Sequence, residues 1–376
     1  MPSHPLKQLV SIGPVPDAPY TPAVKAGGFI HLSGTLAQDD DGAIVGRGDV
    51  GAQTQAVIRR MREVLAAAGS SLDDVVSVTV YLTTAADFQA MNAAYRAFWP
   101  NDPPTRTTVI TALVMPGALI EISMIAVPKG GPREVIHPEG WLKSPNPYSY
   151  AIRSGDTLFL SGLVPRNGRD NSVVSGGIAA QTHAVMQNAS DLLDAAGMTF
   201  DHIVSTRVYL TDASNFRGMN EAYAACFATA PPARATVKSG LAGADFLVEM
   251  TFTASAARRE AIGAAPRGIP ISPAIKAGNR LYLSGVLGNT AETSGNVAAQ
   301  TRETLARIGR TLDLAGAAPA DVVESMVYLK DTGAFAAMNG EYVKFFGRDF
   351  PARTTVATPL VVDDGLVEIM VTAVVR

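Results

Sequence analysis

The sequence predicts an α+β protein made of three tandem copies of one unit, each a mostly antiparallel sheet with two helices on one face. Three observations carry that expectation. The first is a block that occurs three times: Pro103-Pro104-Thr105-Arg106-Thr107-Thr108-Val109, Pro231-Pro232-Ala233-Arg234-Ala235-Thr236-Val237 and Pro351-Ala352-Arg353-Thr354-Thr355-Val356. The second is the glutamate that follows each arginine after fifteen residues (Glu121, Glu249, Glu368), although the residues between have drifted freely. Self-similarity of this kind marks a repeated structural unit. The third is the order of periodicities in each copy, strand-strand-helix-strand-helix-strand-strand, which layers both helices against one sheet. The units are placed at residues 1–130, 131–258 and 259–376, each long enough to bury its own core.

Each copy opens with a short apolar segment and a strand ending in Ser-Gly, at 29–34, 158–162 and 281–285. A polar loop follows, and in the third copy it is four residues shorter. The first helix is expected over 53–68, 181–196 and 300–315; Val57, Met61, Val64 and Leu65 recur at helical spacing, and Gly69 supplies the stop. Alternation over 76–82 marks the next strand, with counterparts ending at Leu210 and Leu329. A second helix starts after Thr84, Asp212 or Asp331, each an N-cap candidate, and carries Met-Asn-x-x-Tyr from Met91, Met219 and Met338. The arginine and glutamate strands close the unit as a hairpin. Residues 129–146 and 257–271, rich in Gly, Pro and charge, read as joints. At about 3.3 Å per residue either joint reaches some 45–60 Å, enough to cross a neighbouring unit.

Alternation along the last strand puts Glu121 and Ser123 on one face and Ile122, Met124 and Ala126 on the other, under the helices. Arg106 and Thr108 share a face by the same rule. The glutamate face carries apolar groups that a lone unit would leave wet. Three units facing one another would cover it, so a closed, pseudo-threefold body is expected. In a hairpin turning about ten residues after each arginine, Arg106 pairs near position 126 and Glu121 near 111, roughly 16 Å apart along the strand. The two then do not meet within one copy. An ion pair inherited by all three copies is the plain alternative, but on this geometry each residue needs a partner from a neighbour. An arginine in a cleft between copies presents a planar fork suited to a carboxylate. A glutamate nearby can orient or deprotonate a water.

Composition narrows the functions. A net charge of −3 and a pI near 6.0 give no basic field for nucleic acid. No stretch is apolar for long enough to span a membrane, and residues 1–5 lack the features of a signal peptide, so a cytoplasmic protein is expected. The single cysteine, Cys226, excludes an internal disulfide and a thiolate metal cage. It falls where the other copies have Phe98 and Phe345, a core position. His4, His31, His137, His183 and His202 show no metal spacing, and Asp39-Asp40-Asp41-Gly42 reads as a loop turn. Neither metal nor cofactor is expected. The Ser-Gly serines have no recurring His/Asp partner and read as strand-end hydrogen bonders. A Ser–Lys dyad would need a lysine in every copy, and the set Lys25, Arg153, Lys276 lacks one. The asparagine of Met-Asn-x-x-Tyr reads equally as a packing group and as a ligand contact.

Taken together, Ser-Gly, Met-Asn-x-x-Tyr, Pro-x-Arg-x-Thr-Val and apolar-Glu-apolar, three times in this order over nearly the whole chain, resemble the Rid family (YjgF/YER057c/UK114). The resemblance implies a chorismate-mutase-like unit whose trimers enclose a central barrel with sites in the clefts between subunits. Here one chain would supply all three, as a monomeric pseudo-trimer. It also implies hydrolysis of reactive enamine/imine intermediates, of the 2-aminoacrylate and 2-iminopropionate type, to 2-oxo acids and ammonia without a cofactor. Carried over, the carboxylate-binding arginine is Arg106, Arg234 and Arg353, and the water-positioning glutamate is Glu121, Glu249 and Glu368. Further substrate contacts fall on Thr108, Thr236 and Thr355, on Ser33, Ser161 and Ser284, and on Asn92, Asn220 and Asn339. The family tyrosine, thirteen residues before the serine, is Tyr20 and Tyr148. Copy three departs, with Ile271 in that place, so the cleft using that segment is expected to be weak. Two other functions fit the same residues: a non-catalytic binder or sensor of small carboxylates, and a ribonuclease, a label the family sometimes carries. The acidic pI and the lack of an aromatic-basic surface speak against the last.

Overall fold

The computed structural model describes residues 6–12, 18–227 and 230–376; of the histidines weighed above, His4 lies outside them. The long helices run Val50–Ala67, Ile178–Ala195 and Val297–Leu314, each starting ahead of its expected first residue. Side-chain caps set two of these starts. Asp49 accepts from the Ala52 N–H and Asn296 from the Ala299 N–H, whereas Gly177 offers no side chain. Gly69 ends the first helix at φ 74°, a left-handed conformation that glycine adopts without strain. Thr84 and Asp212 cap a single 3-10 turn that leads into the second helices, Phe88–Arg96 and Phe216–Ala224.

The sheet of the first unit runs, edge to edge, Lys7–Val10, Ala23–Ala26, Phe29–Leu36, Ile120–Ala126, Val75–Leu82 and Thr105–Ile110. This corrects the expected hairpin. The glutamate strand does not pair with the arginine strand, because Val75–Leu82 lies between them, with Tyr81 opposite both Val109 and Glu121. The pairing of Val75–Leu82 with Thr105–Ile110 is parallel, Val78 facing Arg106. A helix separates those two strands in sequence, and such a crossover returns the chain in the same direction. Alternation shows which way a residue faces, not which strand lies beside it. The joints are also more than linkers. Glu134–Ile136 pairs with Ala151–Ser154, and Arg259–Ile262 with Ala274–Ala277, as the edge strands of the second and third units.

The units are sewn to one another beyond their arginine strands. Leu241 pairs with Val109, Leu113 with Val356, and Leu360 with Val237, so each unit reaches both others. These links span only one or two residues, so the three units keep three separate sheets. One face of each sheet packs on its own helices; in the first unit Ile122 and Met124 meet Val57, Met61, Leu65 and Tyr95. The opposite faces pack on one another, where Tyr81, Tyr209 and Tyr328 converge with Val109, Val237 and Val356. Each apolar side chain of this size stabilises by about 1.5–3 kcal/mol when buried, so a lone unit would keep its helix-side core but leave this second apolar face wet. A cluster that is not repeated also lies at this junction. Glu324 binds His31 at 3.1 Å and Arg207 at 2.8 Å; burial raises its pKa, but those partners overcome this and hold it at about 2. Cys226 is half-buried against the second unit's core, less enclosed than expected, and burial pushes its thiol up.

Candidate active sites between units

Each arginine lies on the helix side of its strand, held by the second helix of its own unit. Arg106 Nη2 donates to Asn92 Oδ1 at 2.7 Å, Arg234 Nη2 to Asn220 at 2.6 Å and Arg353 Nη1 to Asn339 at 2.7 Å. The guanidinium sits 4.9, 4.8 and 4.8 Å from the rings of Tyr95, Tyr223 and Tyr342. Phe88, Phe216 and Phe335 lie on the same cation at 5.8, 5.9 and 5.7 Å. Phe, Asn and Tyr fall at i, i+4 and i+7, which share one helix face. The aromatic faces attract the cation while keeping water off it. Sequence reading assigned the asparagines, gave the motif's tyrosines no role and passed over the phenylalanines, although one stands three residues before each Met-Asn pair.

The glutamates arrive from the neighbouring unit. Glu249 faces Arg106 and the Thr108 backbone N–H, Glu368 faces Arg234 and Thr236, and Glu121 faces Arg353 and Thr355. All three are buried. Burial pushes each pKa up to about 8, against the opposing pull of the arginine and the threonine N–H. The glycine of each Ser-Gly exists for this carboxylate: a Cβ on Gly34, Gly162 or Gly285 would overlap the glutamate oxygen. A glutamine on the first helix fixes the strand that carries it. Gln53 donates to Gly117 O at 3.0 Å and accepts from Leu119 N at 2.8 Å, and Gln181 and Gln300 repeat the pair.

The serines join the units. Ser161 Oγ accepts from Arg106 N at 2.9 Å and donates to Ser149 O at 2.7 Å; Ser284 does the same for Arg234, and Ser33 for Arg353. Their hydroxyls are thus engaged, and each pins the backbone of the arginine across the cleft. Lys25 and Arg153 stand away from these serines and donate to Ala68 O and Ala196 O at the end of the first helix, where a cation is favoured. Thr108, Thr236 and Thr355 bury Oγ1 atoms that make no hydrogen bond among the described residues.

Two clefts open into well-formed cavities. One, of about 250 Å³, is lined by Arg106, Thr108, Tyr148 and Glu249; the other, of about 350 Å³, by Arg353, Thr355, Tyr20, Ser33 and Glu121. In the third cleft Ile271 takes the tyrosine's place on the same backbone turn: its N–H donates to Ile269 O at 2.9 Å, as Tyr20 does to Ala18 O at 2.8 Å and Tyr148 to Asn146 O at 2.9 Å. An isoleucine cannot hydrogen-bond a ligand. An unpaired buried polar group costs about 1–3 kcal/mol, a factor of roughly 5 to 150 in rate. Of three variants that each keep one arginine, the one keeping Arg234 should therefore show the lowest kcat/KM by such a factor. Equal activities would show that the tyrosine is dispensable.

The model of the endoribonuclease L-PSP family matches residues 12–128, 141–256 and 263–375. The 3-aminoacrylate deaminase RutC of Acinetobacter baylyi is 41% identical over 113 residues, 30% of this chain and 90% of that protein. A RutC family protein of Saccharolobus solfataricus is 38% identical over 122 residues, 32% of this chain and 97% of its own. Among solved structures, a Rid family protein of Yersinia pestis is 34% identical over 33% of this chain and 98% of its own, with a TM-score of 0.32. A chorismatase at 17% identity covers 91% of this chain and 99% of its own with a TM-score of 0.55, a likeness of fold.

Proposed function

Because the chain belongs to the endoribonuclease L-PSP (Rid) family, in three repeats, we propose that it hydrolyses reactive enamine and imine acids of the 2-aminoacrylate/2-iminopropionate type to 2-oxo acids and ammonia. One observation carries the reading: in each cleft a buried arginine from one unit faces a buried glutamate, its pKa near 8, from the next. A relative's name as a 3-aminoacrylate deaminase supports it.

The arginine fork, assisted by the threonine two residues on, binds the substrate carboxylate and sets the imine carbon beside the glutamate. At neutral pH the glutamate is largely protonated. It gives its proton to the imine nitrogen, then takes one from the water whose oxygen bonds to the carbon, forming a 2-amino-2-hydroxy acid. The same proton then passes to the amine. As the C–N bond breaks, the hydroxyl returns a proton to the carboxylate, leaving the 2-oxo acid and ammonia. An enamine reaches this path by moving one proton from nitrogen to its terminal carbon, a transfer the same shuttle serves. All parts of the site are side chains and backbone of one 39.3 kDa chain acting as a monomeric pseudo-trimer.

The test is to generate 2-iminopropionate with an amino-acid oxidase and follow its decay with and without the protein. Faster release of pyruvate and ammonia supports the reading; an unchanged decay contradicts it. If RNA is cut while the imine is spared, the ribonuclease reading replaces it. Carboxylate binding without turnover would instead mark a sensor.

A further inference from the structure

The cavity that Arg106 and Glu249 line is lined by a second arginine as well, Arg166. We infer that this cleft is built for an imine or enamine acid with a second anionic group, a short dicarboxylic acid, whose distal carboxylate Arg166 binds. The inference rests on the deaminase reading for the reacting end and adds the class of side chain.

Arg166 stands five residues after Ser161, where the other units have Gln38 and Asn289. Its guanidinium lies 5.2 Å from the ring of Phe246, which replaces Ala118 and Gly365 of the other units. Its Nη1 donates to Asn171 O at 2.8 Å. The loop is held in place from below. Asn188, on the long helix, donates to Arg166 O at 2.6 Å, while Asn167 N reaches Ser172 O at 2.9 Å and Val174 N reaches Pro165 O at 2.8 Å. Arg166 is therefore positioned in advance, which lowers the ordering cost of binding. Among the described residues it has no carboxylate partner within salt-bridge distance. The cavity thus carries two guanidinium charges against one glutamate that burial pushes up to about 8.

The other clefts lack this arrangement. The helix position of Asn188 is Arg60 in the first unit and Arg307 in the third. Arg60 lines the Arg353 cavity, but it is exposed, stands 3.4 Å from Glu63 and 3.9 Å from Asp40, and shares the cavity with Asp39. Arg307 is bound to Glu303 at 2.8 Å. Their charges are already offset.

The experiment uses the full chain with Arg234→Ala and Arg353→Ala, so that the Arg106 cleft remains. Calorimetry then compares the product analogues 2-oxobutyrate and 2-oxoglutarate. A charge-assisted contact at the distal carboxylate should make 2-oxoglutarate bind roughly tenfold to a hundredfold tighter. Arg166→Gln, which installs the residue the first unit uses at this position, should bring the ratio close to one, and Arg166→Lys should restore part of it. Equal affinities, or a preference that Arg166→Gln leaves intact, would overturn the inference. Turnover of 2-iminopropionate and 2-iminoglutarate by the same chain separates the two readings. Turnover with no dicarboxylate preference overturns the inference and leaves the deaminase standing. Arg166-dependent 2-oxoglutarate binding without turnover does the reverse.

Discussion

Replacing Arg106, Arg234 and Arg353 together with alanine should lower kcat/KM for 2-iminopropionate by about 10³-fold or more. Loss of the charge-assisted contact removes about 1.5–3 kcal/mol, and a misplaced reacting carbon costs about another 10²-fold. The fold should survive. The serine hydroxyls that join the units bind the arginine backbone N–H groups, which alanine retains. Burial lowers each guanidinium's pKa, so its removal also relieves a desolvated charge. Initial rates beside a thermal melt check both halves. Full activity in a folded triple variant would remove the arginines from the proposed role.

Changing Glu121, Glu249 and Glu368 together to glutamine should reduce kcat by about 10²–10⁴-fold, the range for a lost general acid–base group. In the unsubstituted chain the protonated form is the starting state, so kcat/KM should fall as pH rises through about 8. A rise through that pH would instead make the carboxylate the resting form. Stability follows the same groups. Each folded pKa is raised from 4.5 to about 8, so the protonated glutamates' contribution is fully present below 4.5 and is lost as pH climbs towards 8. Melting temperature should decline over that window, and the glutamine variant should show little of the decline. Glu324 acts in the opposite sense, but only between 4.5 and about 2.

Repetition made most of the unit legible. The long helices follow from periodic apolar residues and a glycine stop, and the arginine, glutamate and Met-Asn-x-x-Tyr residues stand out because drift around them left them in place. Strand neighbours were not legible, since alternation gives facing without adjacency; hence Val75–Leu82 between the arginine and glutamate strands came as a correction. The joints hid edge strands of three and four residues, too short to show a pattern. Within the site, Gln53, Phe88 and their counterparts recur as faithfully as the arginines, yet their roles depend on partners remote in sequence. A comparison of repeats exposed single-copy departures at a recurring position, such as Ile271, but not charged groups whose role depends on partners in other units. His31, Glu324 and Arg207 at the junction and Arg166 in its cleft belong to that group.

The central claim is that each site takes its arginine from one unit and its glutamate from the next: Arg106 with Glu249, Arg234 with Glu368, and Arg353 with Glu121. Two double variants test it most directly through kcat/KM for 2-iminopropionate. Arg106→Ala with Glu249→Gln disables a single cleft, so its activity should equal that of Arg106→Ala alone. Arg106→Ala with Glu121→Gln disables two clefts and leaves only the one lined by Ile271, so its activity should fall well below. The opposite order, with the Glu121 double variant matching Arg106→Ala and the Glu249 double variant falling further, would place each site within a single unit and contradict the account.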